Sequence, residues 1–271
     1  MSMEIVVCVK QVPASTRVKL NATTNTIIRE GIEMMLNPFD AYALEEALRV
    51  KAGAGGRVTV ISMGIPSAAE LLRYALALGA DRAVLLSDKR FAGADTLATA
   101  YSLAAAVRKL GACDLILCGR QAVDGDTAQV GPSLAQKLGI PHLTAVSRLE
   151  LSSQRRVLCE KMTDEGYQEI ELGLPALLTV VKEINTPRFP NLEDYLRTLD
   201  AAVEIWSADD LEVDHARIGY DGSATWVMST TATERRKNGK EILGPPQEAA
   251  ELILGTLRQM GWQPASEGRR E

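Results

Sequence analysis

Residues 4–12, Glu4-Ile-Val-Val-Cys-Val-Lys-Gln-Val12, decide the fold. The run is short, β-branched and almost continuously apolar, the pattern of a strand buried on both faces rather than one. Such a strand belongs in the middle of a parallel sheet covered by helices. Three more runs repeat the pattern: Arg57-Val-Thr-Val-Ile-Ser-Met63, Arg82-Ala-Val-Leu-Leu-Ser87 and Asp114-Leu-Ile-Leu-Cys118.

Helical patterns fill the intervals. Asn37-Pro38 supplies a capping residue and then proline at the first helical position, and Ala41, Leu44, Ala47 and Leu48 recur on one face, which predicts a helix over about 38–52. Further helices are predicted from Pro66 to Leu78, from Asp95 to Leu110 and from Asp126 to Leu138, closed by Gly79, Gly111 and Gly139. Strands alternating with helices specify an α/β fold with a doubly wound, mainly parallel sheet. The stretch between Val18 and Arg29, centred on Asn21-Ala-Thr-Thr-Asn25, reads as an inserted antiparallel hairpin.

Beyond Pro141 the pattern turns to strand-like stretches near 145–151, 155–162 and 167–172, and Ala176-Leu-Leu-Thr-Val-Val-Lys182 could rejoin the parallel sheet. Two prolines in Asn185-Thr-Pro-Arg-Phe-Pro-Asn191 mark a loop, followed by a short helix. Residues 208–245 are polar and irregular, with the basic cluster Arg235-Arg236-Lys237. A last amphipathic helix runs from about Gln247 to Met260, with Leu252, Ile253 and Leu257 on one face. The expected division is a main domain over 1–207 and an extended C-terminal arm and helix over 208–271. That helix must bury its apolar face against its own domain or a partner subunit.

Composition narrows the function. The chain has 271 residues, 46% apolar and 24% charged, enough for one sizeable α/β domain plus appendages. No apolar run approaches the roughly 18 residues of a membrane span. The net charge of −5 argues against nucleic acid, whose non-specific binding needs phosphate neutralisation. Met1-Ser2-Met3-Glu4 shows neither a basic leader nor a cleavage site, so a cytoplasmic location is expected. Cys8, Cys113, Cys118 and Cys159 form no Cys-x-x-Cys pair and read as buried thiols, and His142 and His215 are too few for a multi-histidine metal site. His142 reads as a solvated loop residue.

Ligands of open α/β sheets bind at the carboxyl ends of the strands, where loops and helix N-termini turn their N–H groups outward. Four segments qualify: Cys8 to Pro13, Met63-Gly64, Ala94-Asp95-Thr96, and Gly119-Arg-Gln-Ala-Val-Asp-Gly-Asp-Thr-Ala-Gln-Val-Gly-Pro132. In the last, Gly119 and Gly125 admit close backbone approach, and Asp126 or Thr127 would cap the helix and leave its N–H groups for a phosphate. Asp124 and Asp126 would repel that phosphate directly, so they are read as caps, as loop-ordering groups or as acceptors for ribose hydroxyls. By local chemistry alone a well-capped helix after a tight turn explains the segment equally well. There is no Gly-x-Gly-x-x-Gly and no P-loop pattern.

Five segments, in order over residues 4–190, carry a family resemblance: Val7-Cys-Val-Lys-Gln-Val-Pro13, Asn37-Pro-Phe-Asp-Ala-Tyr-Ala-Leu-Glu45, Gly79-Ala-Asp81, Gly93-Ala-Asp-Thr96 and Gln121-Ala-Val-Asp-Gly-Asp-Thr-Ala-Gln-Val-Gly-Pro132. Together they resemble the electron-transfer flavoprotein beta subunit. The resemblance implies an adenine-nucleotide-binding, alpha-hydrolase-like sheet paired with an alpha subunit, which the C-terminal arm would contact. It implies a nucleotide held by Cys8, Asn37, Asp40, Met63, Gly64, Asp95, Thr96, Gln121, Val123, Asp124, Gly125, Asp126, Thr127, Ala128, Gln129, Val130 and Gly131. Gly222-Ser-Ala-Thr225 resembles a stretch near the phosphates, which adds Thr225.

The nucleotide implied is AMP in simple carriers and FAD in electron-bifurcating members, and Asp-Gly-Asp-Thr-Ala-Gln-Val over 124–130 resembles the bifurcating type. That reading implies NADH as substrate at the subunit interface, a low-potential acceptor such as ferredoxin or flavodoxin, and an acyl-CoA dehydrogenase as partner. No side chain is required as a catalyst, because the flavin carries the redox chemistry. Pro187-Arg-Phe-Pro-Asn-Leu192 resembles the loop, near 185–198, by which the family docks its dehydrogenase, with Leu192 as the anchor. Its neighbours Glu193-Asp194 depart from the simple carriers.

Overall fold

The computed structural model describes residues 3–14, 33–152, 155–229 and 242–263. In chain order the elements are β1 (Met3–Cys8), β2 (Gln11–Pro13), β3 (Met34–Leu36), α1 (Pro38–Ala54), β4 (Gly56–Met63), α2 (Ala68–Leu78), β5 (Arg82–Leu86), α3 (Thr96–Leu110), β6 (Leu115–Gly119) and α4 (Val130–Leu138). There follow β7 (His142–Ser152), β8 (Arg156–Thr163), β9 (Gly166–Gly173), β10 (Ala176–Val180), α5 (Leu192–Thr198), β11 (Glu204–Trp206) and α6 (Pro246–Gln259).

Among the described residues nine strands form one sheet in the order β11-β5-β4-β1-β6-β10-β7-β8-β9. The pairings from β11 to β7 are parallel, and β8 and β9 extend the edge antiparallel. β1 explains why. Ile5, Val7 and Val9 enter the core shared with α1 and α2, while Val6 and Cys8 enter the core that holds Leu103, Ala104 and Val107 of α3 and Leu134 of α4. A strand with apolar residues on both faces can be satisfied only with a helical layer on each face.

The segment 176–182 does rejoin the parallel sheet, as β10 between β6 and β7. β11 is a parallel strand that the periodicity did not reveal, because only Trp206 of its residues is buried. His142 is the first residue of β7 rather than a loop residue, although it is exposed to solvent as expected. The expected hairpin over 18–29 falls outside the described residues; its flanks, Gln11–Pro13 and Met34–Leu36, pair antiparallel.

One compact unit runs to Ser229 and a second covers 230–271. In the first, Ala208, Leu211 and Ile218 are buried in the same core as Trp206. In the second, α6 has no buried residue. The basic cluster 235–237 lies outside the described residues. No helix among the described residues is long and apolar enough to cross a membrane.

From β1 the chain moves to β4 and β5 on one side and then returns to β6 on the other. At such a reversal open α/β sheets form the crevice that binds their ligands, which here falls at the carboxyl ends of β1 and β6.

Candidate functional site

The crevice is organised by the first turn of α1. Asn37 stands at the N-cap position with Pro38 beside it, but its side chain does not cap the helix. It crosses to the segment after β6: its amide donates to Gln121 O at 2.9 Å and its Oδ1 accepts from Val123 N–H at 3.1 Å. Asn37 is wholly buried, so the two bonds fix the loop without solvent competition.

Asp40, also buried, ties the two strand exits together. One carboxyl oxygen accepts from Lys10 N–H at 2.8 Å and the other from Gly119 N–H at 3.2 Å. Burial pushes the carboxyl up to about 7, against hydrogen bonds from Asn37, Lys10 and Gly119 that favour its charged form. Gly119 cannot be larger: a Cβ there would stand 2.4 Å from Asp40 Oδ1 and 2.6 Å from the carbonyl carbon of Phe39. Cys8 ends β1 in register with Cys118 and is nearly buried, whereas Met63 ends β4 and Gly64 N–H donates to Leu86 O at 3.0 Å.

The loop from Gly119 to Gln129 departs from expectation. The helix starts at Val130, not Asp126, and neither Asp126 nor Thr127 caps it; Gln129 takes the N-cap position with no side-chain cap. The reason is backbone conformation: Asp126 and Ala128 adopt left-handed φ of 52° and 53°, which no helix accommodates. Asp126 instead accepts from the Gln121 amide, and Asp124 accepts from Lys10 Nζ at 2.7 Å, so both carboxylates order the loop. Gly125 faces open space. Gly131 has a packing role, since a Cβ there would meet Thr179 Cγ2 at 2.5 Å. The first-turn N–H groups of α4 are left without a capping side chain, beside the exposed residues 123–129.

A second cluster forms at the start of α3. Asp95 caps the helix by accepting from Leu97 and Ala98 N–H at 2.9 and 3.0 Å. Its other oxygen accepts from Ala224 N–H at 2.8 Å, and from the N–H and hydroxyl of Thr225 at 3.0 and 3.1 Å. Burial pushes this carboxyl up, but these donors outweigh it and hold it below the usual range. Thr96 connects the two clusters, donating its hydroxyl to Gln129 Oε1 at 2.9 Å. Cys8, Asn37, Asp40, Gln121, Val123 and Asp124 thus gather at β1 and β6, and Asp95, Thr96, Gln129 and Thr225 at α3. Sequence reasoning missed Lys10 as a site residue; a cation directly after a buried strand was the available signal.

Leu192 lies outside both clusters, as the first residue of α5, and is 72% exposed. Phe189, Leu196 and Leu199 near it are exposed too. The loop before it is anchored on α1: the Arg188 guanidinium forks onto Glu45 at 2.8 Å through each of two nitrogens, and the Asn185 amide donates to Tyr42 O and Glu46 Oε2 at 3.0 and 2.9 Å.

Among the described residues no group of three or more His, Cys, Asp or Glu residues is placed to hold a metal ion, and the four cysteines are free thiols. Burial pushes Cys113 and Cys159 up to about 12, so both remain protonated at neutral pH.

The model of the electron transfer flavoprotein domain matches residues 24–211. The chain is 46% identical over 257 residues to the electron transfer flavoprotein subunit beta of Clostridium acetobutylicum, covering 95% of this chain and 98% of that protein. It is 42% identical over 259 residues to the caffeyl-CoA reductase-Etf complex subunit CarD of Acetobacterium woodii, covering 95% and 98%. To protein FixA of Azorhizobium caulinodans it is 46% identical over 242 residues, covering 86% of each.

Proposed function

The chain belongs to the electron transfer flavoprotein family as a beta subunit, and we propose that its carboxyl-end crevice binds FAD in an electron-bifurcating complex. The observation that supports the reading is the loop 121–129, which two buried bonds from Asn37 hold open against the uncapped start of α4. Uncapped N–H groups at a helix start suit a phosphate, and the left-handed residues Asp126 and Ala128 keep the loop from closing into helix.

The residues present fit an adenine nucleotide. Exposed backbone at 123–129 and α4's first turn would face its phosphates, while Cys8, Asn37, Asp40 and Met63 at the strand ends would frame the crevice. Asp95 positions rather than contacts: both its oxygens are spent on α3 and on residues 224–225. FAD, when bound, would supply hydride acceptance and one-electron transfer. The chain's own part is to hold the nucleotide, exclude water from the strand ends and present a docking surface.

In this reading an alpha subunit completes the carrier, NADH is the electron donor at the subunit interface, and one electron leaves for a low-potential acceptor such as ferredoxin or flavodoxin. Leu192 and the apolar residues beside it dock an acyl-CoA dehydrogenase. The resemblance to the caffeyl-CoA reductase-Etf complex subunit CarD favours a bifurcating role over that of a simple carrier with structural AMP. The cytoplasm is the compartment proposed.

The test is a nucleotide count. Denaturing the co-purified alpha/beta complex and separating what is released should give two FAD and no AMP per heterodimer. One FAD and one AMP would reassign this chain to a simple carrier.

A further inference from the structure

An open cavity of about 400 Å3 lies beside the crevice, lined by Arg120, Thr144, Lys161, Thr163 and Thr179 with Ala128 and Ala145. It is separate from the residues the proposed nucleotide reading uses, sharing Ala128 alone. Sheet order makes it: β6, β10, β7 and β8 lie side by side, so the residue after β6 meets the ends of the other three.

Three features of the lining point to an anion. First, among the described residues the side chains of Arg120 and Lys161 have no acidic or hydrogen-bonding partner, although most of the other lysines and arginines among them do. Second, hydroxyl protons remain to be given: Thr179, almost wholly buried, accepts from Ala145 N–H at 3.3 Å, which leaves its own O–H as a donor, and the half-buried Thr144 adds another. Third, two non-glycine residues with left-handed backbone, Ala128 at φ 53° and Ala145 at φ 59°, both line this cavity. Alanine gains nothing locally from that conformation, and strain of this kind concentrates where a ligand is bound.

We propose that this cavity is a phosphate or diphosphate site, with the Arg120 guanidinium and the Lys161 ammonium as its cationic walls and Thr144 and Thr179 as neutral donors. Its volume is ample for a diphosphate with its water, and because the cavity is open an organic ligand would place its phosphates here and extend outward. Guanidinium and ammonium differ in what they offer: Arg120 can fork onto two phosphoryl oxygens, and Lys161 acts as a point charge. The carboxylate of Asp164, on the exposed turn between β8 and β9, also lines the cavity and works against the two cations.

The test uses the full chain as purified, with any bound nucleotide left in place, titrated calorimetrically with pyrophosphate and, separately, with inorganic phosphate in low-salt buffer. One anion should bind per chain with no release of nucleotide. Arg120→Gln combined with Lys161→Gln should weaken binding at least about tenfold, the usual loss with a charge-assisted contact, at unchanged nucleotide content and melting temperature. Asp164→Asn should tighten it a few-fold. Pyrophosphate binding about tenfold tighter than phosphate assigns the site to the diphosphate of an organic ligand, and equal binding assigns it to the free anion. No uptake by the wild-type chain, equal uptake by the double variant, or expulsion of bound nucleotide by pyrophosphate would overturn the proposal. Nucleotide content, measured in parallel, reports on the neighbouring crevice independently.

Discussion

Asp40 and Glu45 are buried carboxylates on the same helix, yet their surroundings drive them in opposite directions. Asp40, at the crevice, has no ion-pair partner of its own: the Asn37 amide, the N–H groups of Lys10 and Gly119 and the charge of Lys10 all favour its ionised form, but burial outweighs them and the group rises to about 7. For Glu45, burial also pushes upward, but the Arg188 fork outweighs it and holds the carboxyl below 4.5. The first end of α1 therefore serves a ligand site assembled from polar backbone, and its middle serves as the anchor of an apolar docking surface. One helix positions both, which fixes their spacing without requiring contact between them.

Removing the crevice's organiser should have the largest effect. Asn37→Ala deletes two buried hydrogen bonds and leaves Gln121 O and Val123 N–H without partners, a cost of about 3 kcal/mol. Denaturant unfolding should show that loss, and the purified complex should retain much less nucleotide. Equal nucleotide content would detach the loop's order from binding and break the comparison at its first term.

The docking end should behave in the opposite way. Leu192→Ala removes an exposed side chain, so stability should change by less than about 0.5 kcal/mol and nucleotide content not at all. Reduction of the partner dehydrogenase should slow by about tenfold or more if Leu192 anchors the contact. Loss of nucleotide instead would show that the two ends are not separable.

The pH dependence sharpens the contrast at smaller amplitude. Asp40 retains its proton in the folded chain up to about 7 but releases it near 3.8 when unfolded. Between those values the folded state binds more protons, so the stabilisation present below 3.8 is lost as pH rises to about 7. Glu45 has the reverse sign: its contribution is present above 4.5 and is lost as pH falls through its lowered value. Urea unfolding from pH 4 to 8 should contain a declining component that Asp40→Asn removes and Glu45→Gln leaves in place.

The parallel strands were legible because Val6 and Val7, or Val60 and Ile61, are neighbours in sequence that face opposite cores, and continuous apolarity signals that directly. The crevice was less so. Asn37-Pro38 carries the chemistry of a helix cap, and only the folded position of Gln121 and Val123 shows that the amide is spent across the crevice. Asp126-Thr-Ala-Gln129 is compatible with helix, so the left-handed turns that delay α4 to Val130 follow from tertiary constraint rather than local propensity. Arg120 and Lys161 meet only through the order β6-β10-β7-β8, which no local pattern encodes.

Hydrogen exchange on the complex, with its nucleotide in place and after its removal, tests most directly where the nucleotide sits. Removal should raise exchange in 119–131 and in 37–40 and leave 185–199 unchanged. Exchange that changes elsewhere while 119–131 stays protected would contradict the assignment of the nucleotide to this crevice.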